Sequence, residues 1–325
     1  MAATIATHNP PWTWAVPAAG VAVLLSSRLI PALPGLPLLL TAALLGCVVA
    51  AVHHAEVIAL KVGEPFGTLV LALSVTTIEV ALIVSMMLSG DPAQSMALPR
   101  DTIFAAIMII LNGIIGLSLL VGGWRHKVQQ FHVEGMTDAL CTMTVIIVLA
   151  LVLPNYTSSS GGTYAEGQLV FVAITTLVLF AAFTAFQTVG QRAYFMPLPV
   201  AGKVGKAATQ SPPDARTAAT SLGLLLLSLV AVVLCAKSIS PMLEALLGRW
   251  GAPATALGII IAAIVLLPEF GAAMRNAAAN RLQSSLNLAI GSAIASIGLT
   301  IPVVALLAVY MDWPLGLGLD GLSTA

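Results

Sequence analysis

The chain has 325 residues, of which 59% are hydrophobic and only 8% charged, and its formal net charge is zero. Soluble domains carry about 25% charged residues, so a chain this apolar needs a bilayer as its solvent and is expected to be an all-α polytopic membrane protein. Zero net charge argues against nucleic acid as a partner.

About nine apolar spans follow one another along the chain, roughly at 13–30, 36–55, 65–88, 102–123, 136–153, 167–189, 217–236, 253–274 and 283–311. The first is the weakest, being short and carrying Arg28. It has no basic n-region and no small-residue cleavage site after it, so a removed signal peptide is not expected. Trp12, Trp14, Trp124, Trp250 and Trp313 fall at span ends, as do Tyr156, Tyr164, Tyr194 and Tyr310, the pattern of an interfacial aromatic belt. Cys47, Cys141 and Cys235 each lie in an apolar stretch without metal-ligand spacing and read as small packing residues. His53-His54-Ala-Glu56 is a poor metal motif, because adjacent histidines face different sides of a helix.

Lys and Arg set the orientation. With the 190–216 loop in the cytoplasm, Arg192, Lys203, Lys206 and Arg216 share a side with Lys61, Arg125, Lys127, Arg275 and Arg281. Only Arg28, Arg100, Lys237 and Arg249 lie opposite. This bias predicts a multi-pass inner-membrane protein with a cytoplasmic N-terminus. The division expected is 1–35 as an extra N-terminal helix, 36–189 as a first half, 190–216 as a Pro/Gly/Lys-rich linker and 217–325 as a second half. Glu64 and Pro65 read as the start of the third helix, where a carboxylate favours the N-terminus.

Two glutamates interrupt the apolar pattern. Glu79 lies within Leu69–Ser85 and Glu269 within Ile259–Ala273. A carboxylate at bilayer depth is costly, by about 3 kcal/mol for Asp on insertion scales, so two in similar settings point to a charged substrate. They are 190 residues apart, and the same offset lays Leu69-Val-Leu-Ala-Leu on Ile259-Ile-Ile-Ala-Ala. Each leads into a span rich in small and polar residues, around Asn112 and Gly116 in one and Asn287, Gly291, Ser292, Ser296 and Thr300 in the other. The third and eighth spans cross in opposite directions, which makes this an inverted-topology repeat, a design that puts ion sites at the midplane on interrupted helices. Pro268 is the expected helix break, since proline removes an amide and disturbs the carbonyl near Ile264. Two carboxylates can be neutralised by protons or by cations, and competition between the two is sufficient to couple their fluxes. Oxygen ligands favour hard cations: calcium, with sodium or potassium also admitted.

The stretch Gly63-Glu-Pro-Phe-Gly-Thr-Leu-Val-Leu-Ala-Leu-Ser-Val-Thr-Thr-Ile-Glu79-Val resembles the first signature of ChaA-type calcium (sodium/potassium)/proton antiporters, in the calcium:cation antiporter superfamily. Pro268-Glu269 with Asn287–Pro302 resembles the second. The resemblance implies cation efflux driven by proton entry, with Glu79 and Glu269 as shared cation and proton ligands. It implies backbone oxygens near Val75–Thr76 and Val265–Leu266 as completing the shell, with Ser292 a further candidate. Asn112, Asn287 and Ser296 are additional candidates from the small-residue spans. The wider family often has Gly-Asn shortly before each glutamate, whereas this chain has Ser-Val-Thr-Thr and Val-Leu-Leu-Pro, a departure that bears on calcium selectivity. The family pattern of about eleven spans also implies that the second half lacks its last two.

The function expected is therefore secondary active exchange of a cytoplasmic cation for protons, with movement of the helices near 36–55 and 217–236 switching access. No cofactor is expected, the partners are inorganic cations, protons and lipid, and the sequence carries no signal for an oligomeric state. A cation channel or uncoupled permease uses the same oxygens and is the alternative. An intramembrane enzyme is disfavoured, because all five histidines fall at predicted edges or in loops and no Gly-x-Ser-x-Gly elbow occurs.

Overall fold

A computed structural model describes residues 9–30, 35–63, 66–88, 96–157, 159, 161–196, 212–253, 255–313 and 315–319. The side chains of 66–69, 71 and 72 are outside this description. So are Glu64–Pro65 and most of the proposed linker, 197–211.

Among the described residues the chain is nearly all helical. We label the helices α1 (Pro11–Leu29), α2 (Leu36–Val62), α3 (Phe66–Met87), α4 (Leu98–His126), α5 (Val133–Tyr156), α6 (Glu166–Gly190), α7 (Ala215–Arg249), α8 (Thr255–Ala278) and α9 (Leu282–Met311). All but α1 and α3 are long and apolar enough to cross a membrane, and α3 contains the shorter apolar stretch Leu73–Met87. Each predicted span thus corresponds to one helix, but several helices run further than hydrophobicity alone suggests. α2 continues to Val62, where Gly63 adopts φ 77° and ends it. α7 continues through Lys237 to Arg249, with Pro241 inside and the Ser240 hydroxyl bonded to Glu244. At its other end the Asp214 carboxylate accepts from Thr217 N–H at 3.0 Å and caps the helix. Those bonds to Thr217 hold the Asp214 carboxyl below its ordinary pKa.

The helices fall into two compact units, residues 1–90 with 205–254, and 91–204 with 255–325. Each unit therefore takes helices from both sequence halves. In the first unit α2 packs on α1, α3 and α7. Small residues permit the close approach. A Cβ on Gly20 of α1 would lie 2.6 Å from Cys47 Sγ of α2, and one on Gly46 would lie 2.8 Å from Val16. His53 and His54 sit within α2 rather than at its edge, because the helix outlasts the apolar run. His54 is fully buried and its Nε2 donates to the Thr13 carbonyl of α1 at 3.0 Å. Trp12 lies against the His53 ring, with centroids 5.3 Å apart.

In the second unit α9 is the central helix: 67% of its apolar window is buried against at most 44% for the other spanning helices, so α9 organises this core. It packs on α4, α5, α6 and α8. The segment 315–319 also belongs to this core. Leu315, Leu317 and Leu319 are buried, Leu319 N–H donates to Leu151 O at 2.9 Å, and Gly318 N–H donates to Gly162 O at 2.8 Å. In the adjoining connection the Tyr164 hydroxyl donates to Leu149 O, and burial pushes its pKa up to about 12. Tyr164 is therefore a packing residue, whereas Trp124, Trp250 and Tyr310 remain more than 70% exposed at helix ends, as belt residues should be.

Gly298 of α9 marks a tight helix crossing: a Cβ there would lie 2.6 Å from Phe180 Cβ of α6. Overpacking of this kind typically costs about 1–3 kcal/mol. Gly298→Ala is expected to lower the thermal unfolding midpoint of the detergent-purified protein. Gly116→Ala, where no atom lies within 4 Å of the added Cβ, should not.

Candidate functional site

Each glutamate occupies the buried face of its own helix. In α3 the buried positions are Val75, Thr76, Ile78, Glu79, Leu82, Ile83, Met86 and Met87, a helical stripe that carries Glu79 inward. Glu79 is 2% exposed. The flanking hydroxyls turn back on the helix, Ser74 donating to Val70 O at 2.8 Å and Thr77 to Leu73 O at 2.6 Å. Thr76, on the buried stripe one turn before Glu79, is the hydroxyl on the glutamate's own face.

In α8, Glu269 is 6% exposed and shares its face with Val265, Leu266, Ala262 and Ala273. The expected break at Pro268 is absent. α8 is one helix from Thr255 to Ala278 with Pro268 inside it. A proline deletes one amide and with it one i→i−4 bond, but α8, packed on α4 and α9, stays helical on both sides of it. The carbonyl relieved of its partner is that of Ile264, while Val265 and Leu266 keep the amides of Glu269 and Phe270 as helical partners. Val75 and Thr76 likewise lie in an unbroken helix.

The remaining candidates divide. Ser296 is buried on α9 and Ser292 is partly exposed one turn earlier, on the same face. Asn287 is committed elsewhere: its side-chain oxygen accepts from Gln283 Nε2 at 2.9 Å and its amide donates to Phe195 O. Asn112 is exposed, donates to Met108 O at 3.2 Å, and lies in a seven-residue π-helical turn, Ile109–Ile115, inside α4. Hydrophobicity carries no sign of that turn. π-bulges recur at functional sites because they redirect a side chain and loosen the local ladder.

A polar junction that sequence reading did not single out anchors the α8–α9 turn. Gln283, 1% exposed, accepts from His132 N–H at 2.6 Å and donates to Asn287. Gln129 donates to Ala277 O and Asn280, and His126 meets Ala278 O at 2.9 Å. Ser285 donates within a trio with Ser118 (2.8 Å) and Ala273 O (3.0 Å), tying α9 to α4 and α8.

The profile of the family described as sodium/calcium exchanger protein matches residues 33–189 and 220–319, which takes in both glutamates. The chain belongs to this family. It is 43% identical over 316 residues to "Putative ionic transporter y4hA" of Sinorhizobium fredii (strain NBRC 101917 / NGR234), covering 96% of this chain and 85% of that protein. It is 32% identical over 283 residues to the sodium-potassium/proton antiporter ChaA of Escherichia coli (strain K12), covering 87% and 76%. Its fold matches the crystal structure of the H+/Ca2+ exchanger CAX with TM-score 0.69 at 15% identity, covering 96% of this chain and 77% of that one. The inverted-repeat exchanger fold and the ChaA-type resemblance therefore stand, and the chain is a multi-pass membrane transporter of a cation-exchanger family.

Because buried Gln283 bonds the His132 amide, Asn287 and the Tyr194 carbonyl, Gln283→Leu should strand the His132 amide and Asn287. The expected loss is about 1–3 kcal/mol, read as a lower thermal midpoint. An unchanged midpoint would show that this amide does not carry the junction.

Proposed function

We propose that this protein exchanges a cytoplasmic hard cation for protons, with Glu79 and Glu269 as the carboxylates that take cation and proton in turn. The observation that carries the reading is one nearly solvent-free glutamate on each of α3 and α8, in a chain of a cation-exchanger family. An ionised carboxylate in an apolar interior is costly, and binding a proton or a cation lowers that cost. Each carboxylate is therefore tolerated when loaded with either ion and disfavoured when empty, and this forbids the empty carrier from changing access. That prohibition couples the two fluxes.

The cation is calcium, sodium or potassium. Oxygen donors suit all three, the family description supports sodium and calcium, and the name of the Escherichia coli relative supports sodium and potassium. Thr76, Ser292, Ser296 and Asn112 are proposed as further oxygen donors, with the Ile264 carbonyl released by Pro268. Movement of α2 and α7, which pack closely on each other, switches access. The basic-residue bias supports a cytoplasmic N-terminus and a cytoplasmic 190–216 connection in a bacterial inner membrane.

In everted vesicles holding an inside-acid proton gradient, added calcium, sodium or potassium should dissipate the gradient when this protein is present. Glu79→Gln and Glu269→Gln should each remove that response while the protein remains in the membrane. Full exchange by either variant would overturn the assignment, and cation flux indifferent to the proton gradient would favour a channel.

A further inference from the structure

Helical threonines in this protein have a common habit. Thr41, Thr77, Thr144, Thr175 and Thr184 each donate to the carbonyl four residues back, the usual resting place of a threonine hydroxyl in a dry helix. Thr102 and Thr300 break it. Both are 0% exposed, and neither hydroxyl has a hydrogen-bond partner among the described residues. A stranded buried hydroxyl costs about 1–3 kcal/mol, so two of them call for an explanation.

They belong to one corner of the second unit. Ser285 O–H bonds Ala273 O and fixes the antiparallel register of α9 on α8. Fifteen residues along α9 is Thr300, and fifteen residues back along α8 is Gly258, so equal helical rise puts them at one level. Gly258 in turn lies on the backbone of α4, where a Cβ would be 3.0 Å from Thr102 N and 3.2 Å from Asp101 Cβ. The same face of α9 carries Ser292 and Ser296 at four-residue spacing before Thr300. At the surface end, Asp101 pairs with Arg100 at 2.8 Å, the two side chains being 14% and 25% exposed, and Arg100 also reaches Gly318 O.

We propose that this corner between α4, α8 and α9 is a hydrated proton passage, with Thr102 and Thr300 as water ligands and the Arg100–Asp101 pair at its mouth. A buried water needs two to four polar partners. Two hydroxyls without protein partners, beside a row of serines, provide them. Protons move along such water by hydrogen-bond exchange toward Glu269, which lies further along α8 from Gly258. The proposal rests on the proton-coupled function above.

Its test separates the two readings. In a Cys141→Ser background, whose Cys47 and Cys235 are buried, single cysteines replace Thr102, Thr300 or Ala305. Ala305 is 1% exposed and lies on the face of α9 opposite the Ser292–Ser296–Thr300 row. Aminoethyl methanethiosulfonate should modify the first two at least about tenfold faster than the third, since thiol reactivity follows access. Equal rates overturn the passage, whatever Glu269→Gln does to transport. Thr300→Val keeps the shape and removes the hydroxyl. A purely structural orphan would then leave exchange unchanged, with equal or greater thermal stability, and that result also overturns the proposal. The passage predicts several-fold slower proton-coupled exchange by Thr300→Val in a protein no less stable, and recovery with Thr300→Ser.

Discussion

The burial of two carboxylates in apolar helices constrains everything else in this protein. Glu79 and Glu269 are each shielded from solvent on the inward face of a helix, where an ionised carboxylate is costly unless its charge is compensated. The surrounding design follows from that. Glu79 is the one charged residue of α3, and Glu269 the one charged residue of α8 before Arg275 in its last turn. On the proposed mechanism, neutralisation by an exchangeable ion turns a folding liability into a transport rule.

Small residues bring the surrounding helices close together. Gly20 and Gly46 bring α1 against α2, Gly258 brings α8 onto α4, and Gly298 brings α9 onto α6. Polar bonding is concentrated at the helix ends, in the Gln283, Gln129 and His126 junction and in the 315–319 segment, where backbone groups would otherwise be stranded. Within the helices most threonine hydroxyls fold back on their own carbonyls, Ser285 ties α9 to α4 and α8, and Thr102 and Thr300 do neither.

Much of this was legible in the residues. Apolar length located every helix, and the 190-residue spacing singled out the two glutamates that the structure buries. What escaped has physical reasons. Lys237 looked like the end of a span, yet α7 runs on, because buried Ile239 and Ser240 keep an inward face and helices do not stop where hydrophobicity does. Pro268 looked like a break, but one missing hydrogen bond is small against the packing on both sides. The π-helical turn at Asn112 and the commitment of Asn287 to Gln283 depend on neighbours distant in sequence, which composition and periodicity cannot encode. His54 was placed at an edge because the apolar run ends near it, while its burial is created by Thr13 of α1.

The central claim is that cation and proton compete for Glu79 and Glu269. It is tested most directly without any membrane gradient, by adding calcium, sodium or potassium to the purified protein in weakly buffered detergent and recording released protons with a pH indicator. The account predicts cation-dependent proton release from the native protein and none from the Glu79→Gln, Glu269→Gln double variant. No release with any of the three cations, or equal release from the double variant, would contradict it.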